Sequence, residues 1–573
     1  MAFLGRASFE VQVYREGRWA ISEVLPSEES ARRKAQELLL QKTCAGVRIV
    51  KETKFSESNV RESEIFKQMK EVEDDEDFSV TPVEEAPLCE QVTDYYQTAA
   101  RNTMARLFSK YLEKHEMTPL EILHSHKNLK RMLNLDSMVP SAVDKISSLH
   151  TRATGGDARK RKDVIYEAVD RIAARARDAD SKPLPELKGS TLDELLERID
   201  AKYPDKEEGQ YMANVAFVRT SINWQGWLGK MANLLPMAST QKDERARAMI
   251  DEMMADIFVA KTVIKDVIGV SKHLGDAVMR MLDLVEGKCK PTKFAAEDLL
   301  ALLNTLFSAD LLPKSKAVLF ERIERDLGSP VRLTNSEDPA ADKAFFEEIL
   351  KRAVTDRGVV GGRHMAIGLT ERWARLSNLG GSGGVKRAME GVRDKLTSGK
   401  QKFLFLLAMF DPNADAESRG AIETQIRNLA ATLSSVQKIA PEARTEKARL
   451  QEAAGIQKLV LESKLAPALR DPIAVKFDEI VSDYIISAGV IQRLDDARLP
   501  FRERATRLVT FCASGVLTIG RATTIARDTV VSYLRRKDFI AEYTADIPEP
   551  FEKERAIKEF YALLARTGFD VRG

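Results

Sequence analysis

From residue 92 to the C-terminus, apolar side chains recur every three or four positions in one segment after another, a period that commits most of the chain to helix. In VTDYYQTAARNTMARLFSKYLEKH, residues Tyr96, Ala100, Met104 (or Thr103), Leu107 and Tyr111 fall at three- and four-residue spacing on one face. Leu299, Leu302, Leu303 and Leu306 form another stripe, as do Leu319, Ile323 and Leu327 ahead of the stop signal Gly328. Thr118 followed by Pro119 marks a helix start, because proline at the first helical position gives up an N–H that has no partner there. No fixed repeat length connects these segments, so the expected body is non-repetitive helical packing rather than a solenoid.

The first 55 residues follow a different pattern. Phe9, Val11 and Val13 alternate with Glu10, Gln12 and Tyr14, and REGR then supplies a turn before WAISEV. LPSEESARRKAQELLL reads as a helix capped by Ser27, with Ala31, Ala35, Leu38 and Leu39 as its buried stripe. Gly46 ends that segment, and VRIVKET gives a further strand. The expected fold class is therefore mainly α, a multi-helix body with a small N-terminal ββαβ module. Residues 56–91 hold 12 acidic and 3 basic residues, which predicts an acidic flexible linker. The expected division is a module at 1–55, a linker at 56–91, a helical segment at 92–180 and a helical domain at 190–330. A helical segment with glycine-rich loops at 340–412 and a C-terminal helical domain at 413–573 complete it.

The whole-chain totals, 89 Lys plus Arg against 87 Asp plus Glu, favour no particular class of partner. The four cysteines (Cys44, Cys89, Cys289 and Cys512) are far apart and form no CxxC pair, which argues against a zinc ribbon or a disulfide framework. The N-terminal residues contain no apolar signal core, and the longest apolar run, FLFLLAMF, is too short to cross a bilayer. A soluble cytoplasmic protein, with no membrane insertion, is the expectation.

Catalytic signatures are weak. Glu121 and His124 make one ExxH pair, but a di-iron site of the ferritin type needs that pair twice, so neither a metal nor a cofactor is expected. There is no HExxH and no GxSxG nucleophile elbow, since the one string of that spacing, GGSGG at 380–384, follows a segment that reads as helix rather than strand. In MIDEMMADIF, Met249, Met253 and Met254 read as core, and Asp251, Glu252 and Asp256 as the opposite, wet face. Cys512, in LVTFCASGVLTIG, reads as a small buried hydrophobe.

Two features point toward anions. GGDARKRKDV supplies Arg159, Lys160, Arg161 and Lys162, followed by Arg171, Arg175 and Arg177, a basic helical face of the kind that pairs with phosphates. Interleaved acids (Asp157, Asp163, Glu167 and Asp170) dilute its field. NLGGSGGVKR places Gly383, Gly384, Lys386 and Arg387 at a helix start, where free N–H groups attract anions. Its spacing matches neither a P-loop nor GxGxxG, and the preceding LTERWARLSNL reads as helix rather than strand, so a flexible joint or a close helix crossing competes. Together these signals predict a non-catalytic helical scaffold or regulatory protein acting through protein partners. The alternative is binding of nucleic acid or a phosphate ligand through the basic face or the loop Gly380–Arg387.

Overall fold

A computed structural model of the chain describes residues 6–15, 18–39, 46–56, 59–69, 78–135, 137–187, 191–381 and 383–569. The chain divides into two compact units, Met1–Val80 with Arg131–Ala142, and Thr81–Lys130 with Val143–Gly573. Mainly α with a small β module is the observed class, with 28 α-helices among the described residues.

The first unit holds a four-stranded antiparallel sheet. Strands β1 (Arg6–Arg15), β2 (Arg18–Leu25), β3 (Gly46–Ser56) and β4 (Asn59–Met69) lie in the order β2-β1-β3-β4, with helix α1 (Glu28–Leu39) between β2 and β3 in sequence. Arg15 pairs with Arg18, which fixes a two-residue connection between β1 and β2. Phe9, Val11, Val13, Val47 and Ile49 are buried with Ala31, Ala35 and Leu38, as the alternation predicts. The module is thus ββαββ, not ββαβ, and β4 occupies part of the stretch expected to be linker. Its signal is hidden by a bulge: Phe66 pairs with Ile49 but Glu64 pairs with Val50, so Ile65 is the extra residue. Ile65 and Phe66 both pack on the core, which breaks the strict alternation that identifies a strand.

In the second unit, one continuous buried core runs from Leu120 to Ala522, across the boundaries expected near 330 and 412. A smaller core at the C-terminal end joins Leu508, Tyr533, Phe539, Tyr543, Phe560 and Leu564. Among the described residues of this unit, the β-structure is confined to a short hairpin pairing Val354 with Val359 and Thr355 with Gly358.

Three helix starts in this unit receive carboxylates from other helices. Asp251, on helix Glu244–Val259, accepts from the backbone N–H groups of Lys314 (2.7 Å) and Ser315 (2.9 Å) at the start of Pro313–Gly328. Asp256, one turn on, accepts from Leu120 N–H (2.9 Å) at the start of Pro119–His124. Asp478 accepts from Arg521 N–H (2.6 Å) and Ala522 N–H (3.1 Å) at the start of Arg521–Leu534. Neither Leu312 nor Gly520, the residues ahead of two of these helices, supplies a side-chain cap. A distant acid therefore satisfies donors that would otherwise be orphaned, and it sits at the positive end of the helix dipole. Asp251 and Asp256 are accordingly buried rather than on a wet face, while Met249, Met253 and Met254 are core as expected.

A candidate docking cleft and the buried polar network

An open concavity of about 1020 Å³ lies where the C-terminal core meets the main body. Helices Glu446–Glu462, Val490–Leu494, Phe501–Ala513 and Pro550–Arg566 contribute to its walls. Leu450, Val490, Val516 and Phe560 are buried beneath its surface, and Leu494, Phe511 and Leu563 are half-buried and face it. Leu494 packs against both cores, so the cleft floor is continuous with the interior on either side. The rim is ionic: Arg502 pairs with Asp546 at 2.8 Å and Arg507 with Glu503 at 2.6 Å. Tyr543 and Thr506 hydroxyls meet at 3.1 Å on the same wall. No feature of the sequence singled these residues out, because each helix carries an ordinary amphipathic pattern and the cleft arises only from how they are assembled.

The glycine zone serves mainly helix packing. A Cβ added at Gly391 would stand 2.1 Å from Nε1 of Trp373, and one at Gly368 would stand 3.0 Å from the Cα of Glu324. Gly361 has φ +76 and faces the Phe320 ring at 2.4 Å from such a Cβ, so both its backbone and its surroundings require glycine. Gly383, with φ +79, precedes helix Gly384–Lys395, and helix Gly362–Leu376 comes before it, as the pattern of LTERWARLSNL predicts. Gly384 is buried, Lys386 and Arg387 are exposed, and Arg387 donates back to Gly380 O at 3.2 Å.

The basic face of helix Ala158–Asp180 is partly drawn inward. Arg161 donates to Cys89 O (2.8 Å) and His150 Nδ1 (3.0 Å), and Lys162 pairs with Asp144 at 2.7 Å. Arg175 pairs with Glu208 at 2.9 Å and lies 3.9 Å above the Tyr211 ring. Arg159, Lys160 and Arg171 remain exposed. The structure thus splits the six cations into an engaged set and a solvent-facing set.

Glu121 and His124 lie within a buried network. The Glu121 carboxylate accepts from Lys230 Nζ (2.5 Å), Thr118 N–H (2.8 Å) and Ser221 Oγ (3.1 Å). Arg101, 1% exposed, donates through Nε to Asp256 at 3.0 Å and bonds Tyr96 O through Nη1. The His124 Nδ1–H donates to Leu120 O (2.9 Å), so Nε2 is the acceptor, and it has no hydrogen-bond partner among the described residues. Tyr96 and Tyr211 flank that imidazole with ring centroids 5.2 and 5.0 Å away. Burial pushes the His124 pKa down to about 3, opposed by the Leu120 bond and reinforced by the Arg101 and Arg175 cations. Glu121 is turned to Lys230, and among the described residues no group of three His, Cys, Asp or Glu side chains is placed to hold a metal ion. Cys512 is half-buried, and burial pushes its thiol up to about 11. Among the described residues no helix is long and apolar enough to cross a membrane. Comparison with protein-family models, with curated proteins and with solved structures returns no match for this chain.

Proposed function

We propose that the protein is a non-catalytic cytoplasmic scaffold or regulatory protein, and that the cleft between its two helical cores is where a protein partner docks. The observation that supports this reading is the pattern of the cleft: half-buried Leu494, Phe511 and Leu563 on the floor, with ion-paired side chains around the rim. An apolar centre inside a polar rim is the anatomy of a protein–protein interface. A groove lined by helices also suits an amphipathic helix laid into it.

A photo-cross-linking amino acid at Thr510, an exposed residue of the cleft, tests this in the native cell. The expected product is a cross-link to one defined polypeptide, and Leu563→Glu should abolish it while leaving the helical circular dichroism unchanged. Cross-linking to nucleic acid would favour the phosphate-binding alternative. Absence of any polypeptide adduct would remove the cleft as a docking site.

A further inference from the structure

Four acids and four cations line the cleft but are not all paired with one another, and this extends the docking reading on which it rests. Four acids line it, and each has an arginine: Glu503 with Arg507 (2.6 Å), Asp546 with Arg502 (2.8 Å), Glu446 with Arg493 (2.6 Å) and Glu559 with Arg555 (3.1 Å). The last two arginines lie outside the lining, so two lining cations are left over, Lys447 and Arg566. Both are exposed, and neither has an ion pair among the described residues. Lys447 stands in the first turn of helix Glu446–Glu462, so its charge adds to the positive end of the helix dipole. Arg566 ends helix Pro550–Arg566. Two different helices thus present a cation with no ion pair among the described residues beside an apolar floor.

We infer that the occupant of this cleft is an acidic amphipathic helix of a partner protein, its apolar face on Leu494, Phe511 and Leu563 and its carboxylates toward Lys447 and Arg566. The volume sets the length. A helix about 11 Å across fills about 1000 Å³ in roughly 11 Å of axis, which is about seven residues or two turns. That length offers one apolar stripe of about three side chains, matching the three half-buried floor residues, and places carboxylates three or four positions apart on the opposite flank. Complementary charge of this kind sets partner choice and association rate, while the apolar contact holds the complex.

The test is selection from a displayed library of random 14-residue peptides, panned on the full-length wild-type protein and counter-selected on Leu563→Glu. Recovered peptides are then measured by fluorescence anisotropy against wild type, Lys447→Glu/Arg566→Glu and a single-stranded oligonucleotide competitor. The expected result is a set of acid-rich amphipathic sequences that lose at least tenfold in affinity on the double charge reversal and weaken with added salt. Because both side chains are exposed and unpaired, the double variant should keep the wild-type melting transition, which is checked by circular dichroism. Cleft-dependent peptides that are neutral or basic, or indifferent to the charge reversal, would overturn the acidic partner and leave the docking reading intact. Recovery of no cleft-dependent peptide would overturn both. Displacement of peptide by the oligonucleotide with equal strength would assign the two cations to phosphate instead.

Discussion

Asp478 accepts a hydrogen bond from the backbone N–H of Arg521 at 2.6 Å, so a carboxylate on one helix closes the start of another. The same side chain takes the Ala522 N–H at 3.1 Å and the Thr518 hydroxyl at 2.7 Å. Gly520 permits this approach, since a Cβ there would stand 2.3 Å from the carboxylate. Removing the acid leaves two backbone donors and a hydroxyl unsatisfied in a largely buried setting. At about 1–3 kcal/mol for each buried group left unpaired, partly relieved by water, Asp478→Ala should cost about 2–4 kcal/mol. Asp478→Asn keeps one acceptor oxygen and should cost less. Urea unfolding of both variants checks the order, and equal midpoints for Asp478→Ala and wild type would show that the cap carries no weight.

Arg101 and Asp256 form a buried ion pair with side-chain exposures of 1% and 0%. Truncating one partner strands the other charge away from water, which typically costs about 3–5 kcal/mol. Asp256→Asn should therefore destabilise by an amount in that range, and Arg101→Met likewise. Combining Arg101→Met with Asp256→Asn removes both charges, so the double variant should be more stable than the sum of the two losses by more than about 1 kcal/mol. Strict additivity in denaturant titrations would mean that the pair is not coupled.

The helical class, the hairpin and the buried positions Ala31, Ala35 and Leu38 of α1 were legible in the sequence, because period and alternation register burial directly. The side chain of Leu39, expected in the same stripe, lies outside the described residues. Asp251 and Asp256 were not. A polar residue beside Met253 and Met254 reads as solvent-facing, and only the fold brings the starts of Pro313–Gly328 and Pro119–His124 onto those carboxylates. The cleft was equally hidden, since Leu494, Phe511 and Leu563 belong to three separate segments whose apolar stripes look like ordinary core. Glycine density was visible at once, but its meaning depended on neighbours: Trp373 against Gly391 and Phe320 against Gly361.

That contrast within the glycine zone is directly testable. Gly391→Ala would drive its methyl group into the Trp373 indole, and overpacking of this kind usually costs about 1–3 kcal/mol. Gly380 has open space around its Cβ direction and ordinary φ, so Gly380→Ala should be neutral or slightly stabilising. Thermal unfolding separates the two, and the Trp373 emission should shift in Gly391→Ala alone. Equal loss in both variants would contradict the assignment of Gly391 to a close helix crossing.

His124 gives the protein a defined sensitivity to acid. In the unfolded chain its imidazole takes up a proton near pH 6.5, whereas in the folded state burial postpones this to about pH 3. Between those values the unfolded state binds more protons, so stability from this group is complete above pH 6.5 and is lost progressively as pH falls toward 3. The slope is about 1.4 kcal/mol per pH unit, which amounts to about 2 kcal/mol between pH 6.5 and pH 5. Replacing the imidazole removes that dependence whatever it does to stability at neutral pH. The wild type should therefore lose about 2 kcal/mol more than His124→Leu when urea unfolding is moved from about pH 7 to about pH 5. Carboxylates elsewhere titrate in both proteins and cancel in the difference. Parallel losses in the two proteins would mean that the imidazole is accessible to protons in the folded state, and that the enclosure formed by Tyr96, Tyr211 and Leu120 is open to water.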